Sequence, residues 1–382
     1  MIARREYLRR IRAALARSPV VMLVGPRQCG KTTLAREVAV EPVATFFDME
    51  EPAVAALMEQ PMTALAGLRG LVVLDEAQRE PGLFPVLRVL VDRPGNEARF
   101  LVLGSASPAL SRQASESLAG RVEVIEVRGF SSAEVADRAG RGLAELWLRG
   151  GFPRSFLADS DEDSTIWREN FIRTFLERDL AMLGFGMSPR AMARFWTMLS
   201  HYHAQIWNAS EVASSLSVSS PTARSYLDAL EQTFMVRRLS PWHANVGKRL
   251  VKSPKIYLRD SGLFHTLQGI GTSRELSTHP KLGASWEGFA LEEVLAVYRP
   301  REAWFYAIHS SAELDIFFLH RGARIGVELK RADAPRITRS MRVVIEDLEL
   351  DRLMVVYPGE RRYALAENIE CVPLEEVRSL ET

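Results

Sequence analysis

Three features predict an α/β multidomain fold: short apolar runs alternating with helical patterns, a helix-rich middle, and a second strand-rich block near the C-terminal end. Residues 20–24, VVMLV, end at Gly25 and read as a buried strand feeding a loop. Leu71–Leu74 and Phe100–Leu103 read as two more buried strands with helical patterns between them, the alternation of a parallel sheet wrapped by helices. The pattern loosens near Arg138–Gly142. A helical stretch then covers roughly Ser164–Asp179, and residues 190–240 are helical before turning strand-like. Residues 281–357 read helix, three strands, helix, strand. Three modules are expected, over residues 1–140, 141–280 and 281–382.

Bulk composition excludes several classes. Hydrophobic residues make up 47% of the 382, enough for a large core. Forty-nine Lys+Arg against 48 Asp+Glu give a net charge of +1, so only local clustering bears on nucleic acid. Two cysteines, Cys29 and Cys371, cannot build a disulfide framework or a conventional zinc site, and a reducing cytoplasm is the expected location. The basic opening MIARREYLRRIRAAL lacks the apolar core of a signal peptide. No run of about 18 apolar residues is present to span a membrane.

The most specific motif is GPRQCGKTT, which fits G-x-x-x-x-G-K-[ST] from Gly25 to Thr32. Gly25 and Gly30 let the backbone turn around phosphate, with Pro26, Arg27, Gln28 and Cys29 completing the loop. Amide groups and a helix N-terminus supply positive potential there. Lys31 is expected to contact the outer phosphates and Thr32 to hold Mg²⁺, with Thr33 beside it. In LVVLDEAQ a buried strand ends in two carboxylates: Asp75 for the Mg²⁺ shell and Glu76 to orient or deprotonate the attacking water. FLVLGSAS brings Ser105 or Ser107 to the same edge, where a polar side chain can sense the γ-phosphate. Cys29 is either an oxidisable thiol at a helix N-terminus or a small packing residue.

With GPRQCGKTTL, VVLDEAQ, LVLGSAS and SLAGR in order, the chain resembles the prokaryotic AAA-type ATPases whose C-terminal half is a domain of unknown function. The landmarks GGFPRSF, RDL, KSPKIYLRDSGL, GASWEGF, ELDIFF and VELK extend the resemblance over nearly the whole chain. The resemblance implies an ATPase with ATP and Mg²⁺ as cofactors. It also implies that Arg121 of SLAGR occupies a basic position able to serve as an arginine finger or sensor. A finger acting in trans requires an oligomer, because it neutralises transition-state charge on a neighbour's nucleotide.

Two further constellations concern partners. Asn208 with Glu211 marks a helix start, Ser219 caps a second helix, and Ala223, Leu227, Leu230 and Phe234 share one face. With the strand-like MVRRL and IYL that follow, this predicts a winged helix-turn-helix. From Thr233 to Arg259 the basic residues Arg237, Arg238, Lys248, Arg249, Lys252, Lys255 and Arg259 are uninterrupted by any acid. Such a run is expected to bind phosphates of DNA in preference to RNA, with Trp242 and His243 adding stacking, or else to face an acidic neighbour such as the Glu-rich C-terminal tail.

In the last module, Asp315 lies in ELDIFFL and Glu328 and Lys330 lie two apart in IGVELK, on one face of a strand. With Glu287 on an upstream helix they resemble the core of the PD-(D/E)xK nuclease superfamily, with Leu314 where the motif's proline stands. In that chemistry two carboxylates bind Mg²⁺ and the lysine positions or activates water. The leading functional expectation is an oligomeric, Mg-dependent AAA-type ATPase that remodels or translocates on DNA. The alternatives are an ATP-gated metal-dependent nuclease and a nucleotide-dependent protein-binding switch.

Overall fold

The computed structural model describes residues 2–39, 44–105, 116–136, 142–243, 251–308 and 312–380. The chain divides into two compact units. One comprises Met1–Gly129, Arg178–Gly186 and Gln232–Phe234; the other comprises Phe130–Glu177, Met187–Glu231 and Met235–Thr382.

The first unit is built on strands β1 (Val20–Gly25), β2 (Thr45–Asp48), β3 (Gly70–Asp75), β4 (Ala98–Ser105) and β5 (Val122–Glu126). They pair in the order β2-β3-β4-β1-β5, and every pairing is parallel. A parallel sheet needs cover on both faces, which is why β1, β3 and β4 read as continuous apolar runs. Val20, Met22, Val72, Leu74, Phe100 and Val102 face one cluster, closed by Leu83, Phe84 and Leu87 of the helix Leu83–Val91. Val21, Leu23, Val73, Leu101 and Leu103 face the other. That cluster is closed by Ile11 and Ala14 of Arg5–Arg17 and by Leu34, Ala35 and Val38 of Lys31–Val38.

In the second unit, β6 (Gln205–Ile206), β7 (Val236–Pro241) and β8 (Lys255–Leu258) accompany the helices Ala209–Leu216 and Ser220–Gln232. Asn208 caps the first helix by accepting from the Ser210 and Glu211 amides; the Ser219 hydroxyl accepts the Thr222 amide at the second. Ala223, Leu227 and Leu230 are buried on one face, whereas Phe234 lies past the helix end with positive φ. β8 is antiparallel to both β6 and β7.

The same unit continues with the helix Leu282–Tyr298, then β9 (Ala303–Ile308), β10 (Ala312–His320) and β11 (Ala323–Leu329). The helix Arg339–Leu348 and strands β12 (Arg352–Tyr357), β13 (Tyr363–Ala366) and β14 (Ile369–Pro373) follow. β9, β10 and β11 are antiparallel neighbours, and β11–β12 and β12–β14 are parallel. Arg321 and Gly322, both with positive φ, make the two-residue turn between β10 and β11, the geometry that suits a tight hairpin. β7 pairs in parallel with β9, Ser240 opposite Trp304, so nine strands form one sheet in the order β13-β14-β12-β11-β10-β9-β7-β8-β6. Trp242, expected to stack on nucleic acid, is partly buried and packs on Trp304 and Phe317 at 4.6 and 5.1 Å between ring centres. Among the described residues no helix is long and apolar enough to cross a membrane.

Candidate nucleotide site and carboxylate cluster

β1 delivers the chain into the glycine loop at the C-terminal edge of the sheet. Gly25 has φ +153°, and a Cβ there would lie 2.0 Å from the Val127 carbonyl oxygen, so only glycine lets the two backbones approach. Gln28 and Gly30 have positive φ, which curls the loop so that Gly30 caps the helix Lys31–Val38. The loop backbone and that helix start present amides to a bound anion. The buried Lys31 ammonium donates to the carbonyls of Gly25 and Pro26 at 3.1 and 2.8 Å, which holds it over the loop. Cys29 is buried with its thiol 3.4 Å from the Val127 carbonyl, a packing position. Thr33 is exposed.

β3 ends at the same edge. Asp75 is buried and hydrogen-bonded to the Thr32 side chain. Burial raises its carboxyl above the usual range, against the lowering effect of the Thr32 bond. Asp48, level with Asp75 on the neighbouring strand, adds a second negative charge. A hydroxyl and a buried carboxylate held together beside a phosphate loop fit a divalent cation bound with nucleotide. Glu76 follows in the left-handed region, φ 55°, with its amide on Asp75 Oδ1 at 2.9 Å and its carboxylate accepting from Gln78. A non-glycine residue held there stores strain, as residues at functional edges often do. Ser105 closes β4 directly opposite Gly25. Ser107 lies outside the described residues.

Asp179 escaped the sequence reading as a site residue. It is buried, sits at the end of the π-helical turn Phe175–Asp179, and pairs with Arg27 of the loop, which also lies 3.9 Å from Glu50. The only sequence signal was the RDL landmark, which names no chemistry.

Arg121 is elsewhere. It precedes β5, and its carbonyl accepts the Val20 amide, so it sits where β1 begins, not where β1 ends. Its guanidinium forks onto Asp92 at 2.7 and 2.9 Å and holds that carboxyl below its usual range. The two border an open cleft of about 590 Å³ with Arg88, Arg93 and Glu116.

The basic run differs from the strip expected from sequence. Arg237 pairs with Glu292; Arg238 pairs with Asp228 and Glu231; Arg259 also reaches Glu292, at 3.4 Å. These partners come from the helices Ser220–Gln232 and Leu282–Tyr298, not from the C-terminal tail, and no local reading of the run reveals them. Lys252 is exposed, and Lys248 and Arg249 lie outside the described residues.

Lys255 belongs to a different group. Its buried ammonium lies 3.3 Å from Glu287, 3.5 Å from Asp315 and in contact with Glu313. Tyr257 donates to Glu287 at 2.7 Å, and the Leu329 amide donates to Asp315 at 2.8 Å. The hairpin register, Ile316 opposite Val327, brings Asp315 level with Glu328, which pairs with Lys330 at 2.5 Å. Of the four expected residues, Glu287 and Asp315 therefore meet a fifth, Lys255, assigned from sequence to another role, and Glu328 and Lys330 pair with each other beside Asp315. Burial and the Asp315 charge push Glu287 up to about 7 and Glu328 up to about 8. Burial alone would lower Lys255; Tyr257, Glu287, Asp315 and Glu313 outweigh it and hold the ammonium well above its usual range. Deleting one partner of such a buried pair costs roughly 3–5 kcal/mol.

Residues 17–136 match the AAA domain, and residues 140–274 and 282–377 match two domains of unknown function, DUF8612 and DUF4143. The glycine loop at the edge of a parallel sheet thus belongs to a P-loop ATPase domain. The uncharacterized proteins Rv2008c of Mycobacterium tuberculosis and Mb2031c of Mycobacterium bovis are each 52% identical over 377 residues, 99% of this chain and 85% of theirs. The chain belongs to their family, one of prokaryotic AAA-type ATPases with a DUF4143 C-terminal domain. The Walker-type ATPase PABY2304 of Pyrococcus abyssi shares the fold, with TM-score 0.51 and 16% identity over 70% of this chain and 96% of that one.

A native Glu328 that keeps its proton up to about pH 8, against 4.5 when unperturbed, binds more protons than the unfolded chain between those values. Stability of the second unit is therefore expected to fall as pH rises through that window. Denaturant titrations at pH 5.5 and 8 should show Glu328→Gln reducing the loss by about 1–3 kcal/mol. An identical pH dependence in the variant and the parent would remove this assignment.

Proposed function

We propose that the chain is a Mg²⁺-dependent ATPase that hydrolyses ATP between copies of itself, with Arg121 of one copy reaching the nucleotide of the next. The observation that carries this reading is the placement of Arg121 beside Val20, at the edge of the sheet opposite the glycine loop. The five steps of β1 separate those edges by roughly 16 Å, beyond the reach of an arginine side chain to its own loop. Arg121 is also only partly buried, and besides a bond to the Ala119 carbonyl its ion pair is with an exposed acid, a pairing weak enough to exchange for a phosphate.

Within one copy the roles follow position. Lys31 leaves the loop carbonyls for the outer phosphates, and the loop amides orient them. Thr32 and Asp75 would hold Mg²⁺, which supplies charge neutralisation on the β- and γ-oxygens. Glu76 orients the attacking water and accepts its proton, and Ser105 senses the γ-phosphate.

As its task we propose remodelling of DNA through the segment from β6 to β8. Two helices joined by a short turn and followed by an antiparallel strand pair support a winged helix, and exposed Arg224 and Ser225 lie on its second helix. The helix, three antiparallel strands, helix and parallel strand of residues 282–357 support the nuclease-like reading of the last module. The division at 1–140, 141–280 and 281–382 goes with these roles, and two buried free cysteines fit a cytoplasmic setting. One observation favours a second reading: the paired state of Arg237, Arg238, Lys255 and Arg259 leaves less positive charge for phosphates than the run implies. That favours a nucleotide-dependent switch with a protein partner. Stimulation of ATP hydrolysis by duplex or branched DNA separates the two, since the switch predicts none.

Glu76→Gln should bind ATP with Mg²⁺ and turn it over at least about 100-fold more slowly; ordinary turnover in that variant would contradict its role. Arg121→Ala and Lys31→Ala should each be inactive alone but regain hydrolysis when mixed, because a mixed interface pairs an intact loop with an intact arginine. Two inactive proteins that stay inactive on mixing, under conditions where the parent subunits exchange, would contradict the shared site.

A further inference from the structure

The carboxylates of the C-terminal cluster enclose a cation that the chain itself provides. Glu287, Glu313, Asp315 and Glu328 contribute four acids; Lys255 and Lys330 contribute two bases. Lys330 lies to one side on Glu328, its side chain 41% exposed, whereas the Lys255 side chain is 4% exposed and sits among the other three acids. An ammonium has three donors and no acceptor, which suits three carboxylates. The Phe305 ring, 5.6 Å from the nitrogen, walls the opposite side with its electron-rich face. Lys255 enters from β8, not from the β10–β11 hairpin that carries Asp315 and Glu328, so the cation comes from a separate stretch of chain.

We propose that Glu287, Asp315 and Glu328 form a carboxylate cluster whose cations are supplied by the chain itself, Lys255 on Glu287 and Asp315 and Lys330 on Glu328, so that the folded module is closed to divalent metal.

The spacing explains the closure. Mg²⁺ draws oxygens to about 2.1 Å, with ligands converging on a single point. Lys255 stands 3.3 and 3.5 Å from the Glu287 and Asp315 oxygens and keeps them apart. Among the described residues no group of three His, Cys, Asp or Glu side chains has the geometry to hold a metal ion. The Tyr257 hydroxyl donates to the same Glu287 oxygen that faces Lys255, and the Leu329 amide takes the other oxygen of Asp315. One acceptor is left over. Glu328 Oε2 is buried with no hydrogen-bond partner, and its carboxyl feels the charges of both Asp315 and Lys255. The residues that resemble a nuclease centre are kept, and the side chain of β8 occupies the space where they would converge.

The test is Mn²⁺ binding to the nucleotide-free full chain at pH 7.5, read by electron paramagnetic resonance, for the parent, Glu328→Gln, Lys255→Met and the double variant. The parent and Glu328→Gln should bind Mn²⁺ identically. Lys255→Met should gain one site at least about tenfold tighter than anything in the parent, because a buried positive charge has been removed, and the double variant should lose it. A site in the parent that Glu328→Gln weakens tenfold would overturn the proposal. So would a Lys255→Met protein that melts cooperatively yet gains no Glu328-dependent site. If Lys255→Met does not fold, the parent and Glu328→Gln comparison decides alone: a Glu328-dependent site overturns the proposal, and identical binding supports it.

Discussion

The parallel pairing of β1 between β4 and β5 is the constraint on which the rest of the first unit depends. It fixes two edges. At one, Gly25 meets Ser105 and the Val127 carbonyl, and the chain has room to turn only because the residue is glycine. At the other, Val20 is bonded to Arg121. The loop, the buried lysine and the Asp75–Thr32 bond all gather at the first edge because parallel strands end together there. The arginine is carried to the second for the same reason. A single sheet thus separates Arg121 from the phosphate loop, a gap that a second copy would close in the proposed reaction.

The second unit is governed by charge compensation. Its sheet runs unbroken from β6 to β13 through the β7–β9 pairing, which places the acids of the helix Leu282–Tyr298 and of β10 beside the cations of β7 and β8. Burial makes each unpaired charge expensive, so the lysines and arginines take acidic partners, and the buried acids that also feel the Asp315 charge, Glu287 and Glu328, hold protons to higher pH. The same compensation reduces the positive charge available to phosphates and fills the centre of the carboxylate cluster.

Much of this architecture is legible in the sequence, for identifiable reasons. β1, β3 and β4 are covered on both faces and therefore appear as uninterrupted apolar runs. β2 and β5 do not: TFFD and VEVIE are short and half-exposed, and their strand character comes from pairing with neighbours distant in sequence. Period-2 spacing places Glu328 and Lys330 together, and the structure shows them paired. Spacing alone does not reveal that Lys255 is the ion among the acids, because its partners are 32 to 60 residues away. Local charge counting reads Lys255 as part of a basic surface for that reason. Asp179 is hidden in the same way, 152 residues from Arg27.

The central claim is that hydrolysis belongs to an interface between copies. The most direct measurement is the Mg²⁺-dependent ATP turnover per chain over a dilution series, with mass followed by light scattering in the same samples. The account predicts turnover confined to the assembled fraction and vanishing as the monomer is reached. A monomer that hydrolyses ATP at the rate of the assembly would contradict it.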